Sequence, residues 1–379
     1  VGLLSLATAA ATYLHGALSV LSTYLVEEFG VTRSQLGLAF TVVALIGGIA
    51  APFVGKLVDV STRRVMAGLF AASTFGVLLA ATAPDYVWVL AAALLGGLGL
   101  AAGNPVTNKL VSEEFPATRH GVVIGIKQAG PPMGLLAAGL VLPPLAVVLG
   151  WRWALALTAL MPLLGFVMTW ALLPAGMARP VAGLGIPAET RRTGQDTVWW
   201  LTVIGFPVAA GTGAVIAFVP LYAHEELGVS VSVAGLLAAV IGISGVAGRV
   251  LWGAHASRFG RPTVPLTLIA VLALFSTLAI WGARGATGLI WVGAVGVGFS
   301  MLAWHAVAWL TLIDAVDLSD VGRTTGVVQL GNSAGFATGP LIMGVLVDAR
   351  GSYGWGWGFI TGLFMITLGL TIAWRRTLQ

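Results

Sequence analysis

Cysteine is absent from the 379 residues, which excludes a disulfide framework and thiolate metal sites. Charge is scarce. Asp, Glu, Lys and Arg together make up 9% of the chain, against roughly 25% in soluble domains. No G-x-x-x-x-G-K-[ST] stretch occurs, so ATP-driven pumping is unsupported. Acidic residues are missing from the apolar interior: all 14 Asp and Glu fall in loops or at the ends of apolar runs. An Asp/Glu proton relay therefore has no candidate. With 58% hydrophobic residues and a mean hydropathy of +0.97, the chain reads as an integral membrane protein. Its net charge of +5 lies in short interhelical loops, a pattern that sets topology and does not form a nucleic-acid-binding face.

A helix crossing a bilayer needs about 20 mostly apolar residues, and twelve such stretches can be marked between residues 3 and 374. The longest polar connection, 174–197, separates an N-terminal six-helix bundle at 1–173 from a C-terminal one at 198–379. The expected fold class is an all-α integral membrane protein, with 12 transmembrane helices in two pseudo-symmetric bundles. Fourteen of the 19 Lys and Arg lie on the side holding both termini and the 174–197 linker, which places that side in the cytoplasm. The chain opens on Val1, so its natural start is expected upstream, and the orientation rests on the loops alone.

The two halves echo each other. GVVIGIKQAGPPMG, Gly121 to Gly134, matches GVVQLGNSAGFATG, Gly326 to Gly339. Gly121, Val122, Val123, Ala129, Gly130 and Gly134 repeat at a constant offset of 205, and Asn332 stands where the first copy has Lys127. A repeat of this kind places a substrate site between the halves near the middle of the membrane. After the second apolar stretch comes GKLVDVSTRR, and after the eighth comes GAHASRFGR.

On these features the sequence resembles the major facilitator superfamily of transporters across essentially its whole length. The family's loop motif, G-x-L-x-D-R-x-G-R-R, is met by Gly55, Leu57, Asp59, Arg63 and Arg64, with Val60 and Thr62 departing from it. The second copy keeps Gly253, Arg258, Gly260 and Arg261 but has Ser257 in place of the Asp. The resemblance implies that Gly55, Asp59, Arg63, Arg64, Gly253, Arg258 and Arg261 form a conformational latch. It also implies that helices 1, 4, 7 and 10 line a cavity together with 2, 5, 8 and 11. Ala93 replaces the Arg that the fourth helix of drug antiporters carries, which counts against that subgroup. Arg249, in R-x-x-x-G before the second loop motif, is similar to the helix-8 Arg of oxalate/formate antiporters and monocarboxylate transporters, where it binds the substrate carboxylate. The monocarboxylate carriers' helix-8 Asp is Gly245 here.

Strongly polar residues inside the spans are His15, Asn104, Asn108, Lys127, Gln128, Arg249, His305, Gln329 and Asn332. They occupy helices 1, 4, 5, 8, 10 and 11, which fits a central polar cavity. Thr8, Thr12, His15, Ser19 and Ser22 are spaced to share one face of the first helix, either a cavity wall or a helix-packing face. Trp304 beside His305 is a candidate pocket wall or a packing aromatic. Lys127 is the anomaly, because a charge at membrane depth costs about 2.5–3.5 kcal/mol on insertion scales. It either snorkels to the cytoplasmic surface, bonds Asn104, Asn108 or Asn332, or awaits an anion.

The function expected is secondary transport of a small organic anion, a carboxylate above all, by alternating access, as proton symport or anion exchange. Lys127 and Arg249 would supply positive charge, the amides neutral hydrogen bonds, and His15, His305 or the lysine itself a proton site. The alternative is efflux of drugs or other lipophilic compounds. The partners expected are the small anion, the bilayer and protons, with no nucleic acid, cofactor or metal. A monomer in a bacterial plasma (inner) membrane is the expected setting. An intramembrane hydrolase built on Ser300 and His305 lacks a third group to orient the histidine.

Overall fold

A computed structural model of the chain describes residues 1–116, 119–174, 191–255, 259, 261–316 and 321–378, leaving aside the side chains at 59, 112, 120–121, 191–193 and 321–323. No strand occurs among the described residues. Among these residues twelve helical spans are long and apolar enough to cross a membrane. The first six are α1 (Gly2–Val20), α2 (Arg33–Val58), α3 (Thr62–Ala81), α4 (Tyr86–Val111), α5 (Val122–Leu149) and α6 (Trp151–Leu172). The second six are α7 (Gly194–Glu225), α8 (Val231–His255), α9 (Thr263–Gly282), α10 (Leu289–Ala315), α11 (Thr324–Arg350) and α12 (Tyr353–Thr377). The helix that carries α7 begins at Arg191, so the last part of the expected 174–197 connection is helical.

Local chemistry sets the helix ends. Thr32 accepts a hydrogen bond from the Gln35 amide while the Gln35 side chain accepts from the Thr32 amide, a reciprocal cap that starts α2. The Asp85 carboxylate accepts from the amides of Val87 and Trp88 and starts α4. Gly150, at φ +79°, makes the tight turn between α5 and α6.

The halves meet along two seams, α2 with α11 and α5 with α8, built on glycine. A Cβ on Gly37 would stand 2.5 Å from the Pro340 carbonyl oxygen, and one on Gly242 would stand 2.5 Å from the Leu136 amide nitrogen. Without a hydrophobic drive between helices in lipid, such close approach is what holds them. The repeated glycines do repeated work: Gly130 and Gly134 lie against α1, Gly335 and Gly339 against α7.

At the end opposite the termini the halves are locked by charge. Arg33 grips Glu225 with Nη2 to Oε1 at 2.6 Å and Nε to Oε2 at 3.3 Å. Tyr353 donates to Glu225 at 2.6 Å. Asp348, at the end of α11, accepts from the amides of Arg33 and Ser34 at 3.0 and 2.7 Å. It thereby places an anion on the free amides at the start of α2. At the end that holds the termini, the sites for a Cβ on Gly55, Gly125, Gly253 and Gly326 meet nothing within 4 Å. Among the described residues, the molecule is closed away from its termini and open at these sites beside them.

Candidate functional site

Lys127 is fully buried and does not snorkel. Its Nζ donates to Thr107 Oγ1 at 2.8 Å, Asn108 Oδ1 at 2.5 Å and Asn104 Oδ1 at 3.5 Å. These acceptors lie within about one turn of α4, on one face, and they use all three ammonium donors. Gln128 Nε2 also donates to Asn104 Oδ1, at 3.2 Å. Among the described residues no carboxylate lies within ion-pair distance of Lys127, so the charge is solvated by neutral oxygens and not neutralised. Asn108 is exposed on the open side and Asn104 half-buried, which connects the buried ammonium to that opening.

Arg249 holds a different kind of partner. Its Nε donates to the Leu302 carbonyl at 2.9 Å and its Nη1 to the Gln128 carbonyl across the halves. The two cations are thus anchored at consecutive residues of α5, Lys127 by its side chain and Arg249 through the neighbouring backbone.

A second constellation lies on α1, α10 and α11. The Phe336 ring stacks on His305 with centroids 6.1 Å apart and meets the edge of His15 at 6.5 Å. His15 also packs against Phe40 at 4.7 Å. His15 Nε2, His305 Nδ1, Trp304 Nε1 and both amide atoms of Asn332 are buried without a hydrogen-bond partner. Asn332 and Trp304 converge on Gly205 of α7, where a Cβ would meet Asn332 Oδ1 at 2.6 Å and the Trp304 ring at 3.3 Å. Buried polar atoms are seldom left unpaired, and these are neutral groups able to donate to or accept from hydroxyls.

The structure sorts the candidates read from the sequence. It brings Lys127, Gln128, Asn104 and Asn108 together, sets His15 and His305 on Phe336, and brings Trp304 and Asn332 together at Gly205. Asn332 does not meet Lys127: each residue turns into its own half, Lys127 onto α4 and Asn332 onto α7 and α10. Gln329 donates to Ser333 at 3.4 Å, within α11. On α1 the hydroxyl face is divided. Thr8 donates to the Lys127 carbonyl at 2.6 Å and Ser19 to the Ile216 carbonyl, so both pack helices together, while His15 points to the central aromatic group. Thr107 was not singled out in the sequence, although its spacing from Asn104 and Asn108 puts it on their face of α4.

Among the latch residues, Gly55 and Gly253 border the open end. Arg63 donates to the Trp170 carbonyl at 2.8 Å and lies 4.2 Å over that ring, inside its own half. The Arg64 amide donates to Ser61 Oγ at 3.4 Å, and the Arg261 amide to the Phe259 carbonyl at 2.7 Å. The Asp59 side chain and Arg258 lie outside the described residues.

Comparison with known proteins agrees with this architecture. A family model described as Major Facilitator Superfamily matches residues 3–316 and 201–378. The hexuronate transporter of Bacillus subtilis (strain 168) is 25% identical over 385 residues, covering 94% of this chain and 87% of the relative. Multidrug resistance protein MdtG of Proteus mirabilis (strain HI4320) is 26% identical over 370 residues, covering 92% and 88%. The crystal structure of the nucleoside transporter NupG superposes with a TM-score of 0.76 at 14% identity, covering 98% of each chain.

Proposed function

The chain belongs to the major facilitator superfamily, and on that premise we propose that this multi-pass transporter carries a small organic anion by alternating access. Residues 1–173 and 198–379 move as the two halves, with both termini in the cytoplasm. One observation carries the reading: a fully buried lysine bonded only to neutral oxygens among the described residues. Neutral acceptors satisfy its donors without cancelling its charge, so an incoming carboxylate meets an uncompensated cation in a low-dielectric setting. The exposed Asn108 gives the anion its approach. The similarity to a hexuronate transporter supports a carboxylate bearing hydroxyls. The unpartnered atoms of His15, Trp304, His305 and Asn332 are suited to those hydroxyls. One of the histidines, or Lys127 itself, supplies a place for a coupled proton.

Lys127→Gln tests this, because Gln retains a donor for α4 while removing the charge. Losing a charge-assisted hydrogen bond, worth about 1.5–3 kcal/mol, should lower uptake of labelled hexuronate into proteoliposomes by about tenfold or more. Uptake by folded Lys127→Gln equal to that of the unaltered protein would remove the anion site. The similarity to MdtG supports a second reading, export of lipophilic compounds. A thermal-shift series separates the two. Carboxylates should raise the melting temperature and amphipathic cations should not, and the reverse order would favour export.

A further inference from the structure

We propose that Arg249 is a positioning residue of the transport cycle, a clasp between the halves, and that Pro132 creates the acceptor it grips. In an α-helix each carbonyl accepts from the amide four residues on, and proline has no such amide. Pro131, Pro132 and Pro220 therefore deprive the carbonyls of Lys127, Gln128 and Ile216 of their helical donors. A side chain from another helix takes up each of the three. Thr8 donates to Lys127 O at 2.6 Å, Arg249 to Gln128 O, and Ser19 to Ile216 O. The last two bonds cross between the halves, α8 to α5 and α1 to α7.

Arg249's second acceptor arises from a different break. The π-helical segment Gly298–Leu302 interrupts α10, and just beyond it the Ala306 amide donates to Ala303 O at 2.9 Å and not to the carbonyl of Leu302. Arg249 Nε takes Leu302 O at 2.9 Å, and Trp252 on the same helix takes Phe299 O at 3.0 Å. One guanidinium thus joins α5, α8 and α10. A planar fork of fixed donors suits this task as a lysine would not, and two carbonyls short of helical donors are strong acceptors where water is scarce.

The bond to Gln128 ends the α5–α8 seam on the termini side. The seam runs antiparallel, Gly139 against Ala239, Leu136 against Gly242, Pro132 against Gly245, then Gln128 against Arg249. One turn further, the Cβ sites on Gly125 and Gly253 meet open space. Arg249 is therefore committed to holding the seam at the depth where the helices part, which leaves Lys127 as the cation for the anion. The inference concerns how the halves are held, so it stands or falls separately from the anion reading.

The absence of native cysteine makes the test direct. Spin labels on Gly125→Cys and Gly253→Cys, both facing open space, report the separation of α5 and α8 by double electron–electron resonance, with no substrate present. Arg249→Gln should shift the distances longer and broaden them. Pro132→Ala restores the amide that occupies Gln128 O and should produce the same shift with Arg249 in place. The double variant should shift no further than either single one. The clasp is refuted if either single variant leaves the distribution unchanged, or if the double variant shifts by the sum of the two.

Discussion

Lys127 is fully buried and Arg249 half-buried, and neither meets a carboxylate among the described residues, yet their surroundings differ in kind. Lys127 is held by side chains that can rotate, one of them exposed, whereas Arg249 is held by backbone that cannot. The first arrangement can yield to a ligand; the second resists it. Glu28 shows the opposite case, a carboxylate with its partners in place. Burial would raise its pKa, but hydrogen bonds from Arg152, at 2.7 Å, and Trp151 outweigh that and hold it below the ordinary carboxylate range. A lowered folded-state pKa contributes stability that is present above the unfolded value, about 4.3 for Glu, and lost as pH falls through the folded value. The side chain is 41% exposed, so solvent screening limits the contribution to about 0.2–1 kcal/mol. Melting curves of Glu28→Gln and the unaltered protein should differ at pH 7 and converge as the pH falls through Glu28's lowered folded-state pKa.

At the scale of the helix, glycine and proline divide the work. Glycine allows the seams to close, and proline frees the carbonyls that side chains of neighbouring helices then grip. Gly242→Val would drive its side chain into the Leu136 backbone, which cannot give way as a flexible side chain would. Overpacking of this sort costs about 1–3 kcal/mol, and the melting temperature should fall accordingly. Gly253→Val, facing open space, should melt like the unaltered protein. Sequence reading put the polar residues on the correct helices, because spacing alone settles which residues share a face. It left both readings of the α1 hydroxyls open, since a threonine that packs and one that lines a cavity have the same period. Only the position of α5 beside α1 assigns Thr8 to the Lys127 carbonyl.

For the whole molecule, the closed end is the consequential feature. Opening it requires breaking the Arg33–Glu225 pair and the Asp348 cap on α2, and these are the places where a change of charge reaches both halves. Glu225→Gln combined with Asp348→Asn should populate molecules open at that end. Spin labels on Val87→Cys and Ala349→Cys, one in each half, should show an added longer-distance component. An unchanged distribution would mean that the glycine seams and the remaining bonds between the halves, such as Ser19 to the Ile216 carbonyl, keep the end shut.

The twelve spans, the repeat at an offset of 205 and the scarcity of charge are legible in the order of residues alone, because bilayer thickness and the cost of burying charge act on each stretch independently of its neighbours. The sequence also exposed Lys127 as an anomaly. It did not contain that lysine's partners, the separation of Lys127 from Asn332, the engagement of Arg249 by two carbonyls, or which end is closed. Those depend on where helices distant in sequence come to lie, and a hydrogen bond forms only when such helices bring donor and acceptor within about 3 Å. The tertiary structure thus gave two cations of similar appearance different partners, side-chain oxygens of α4 for Lys127 and backbone carbonyls of α5 and α10 for Arg249.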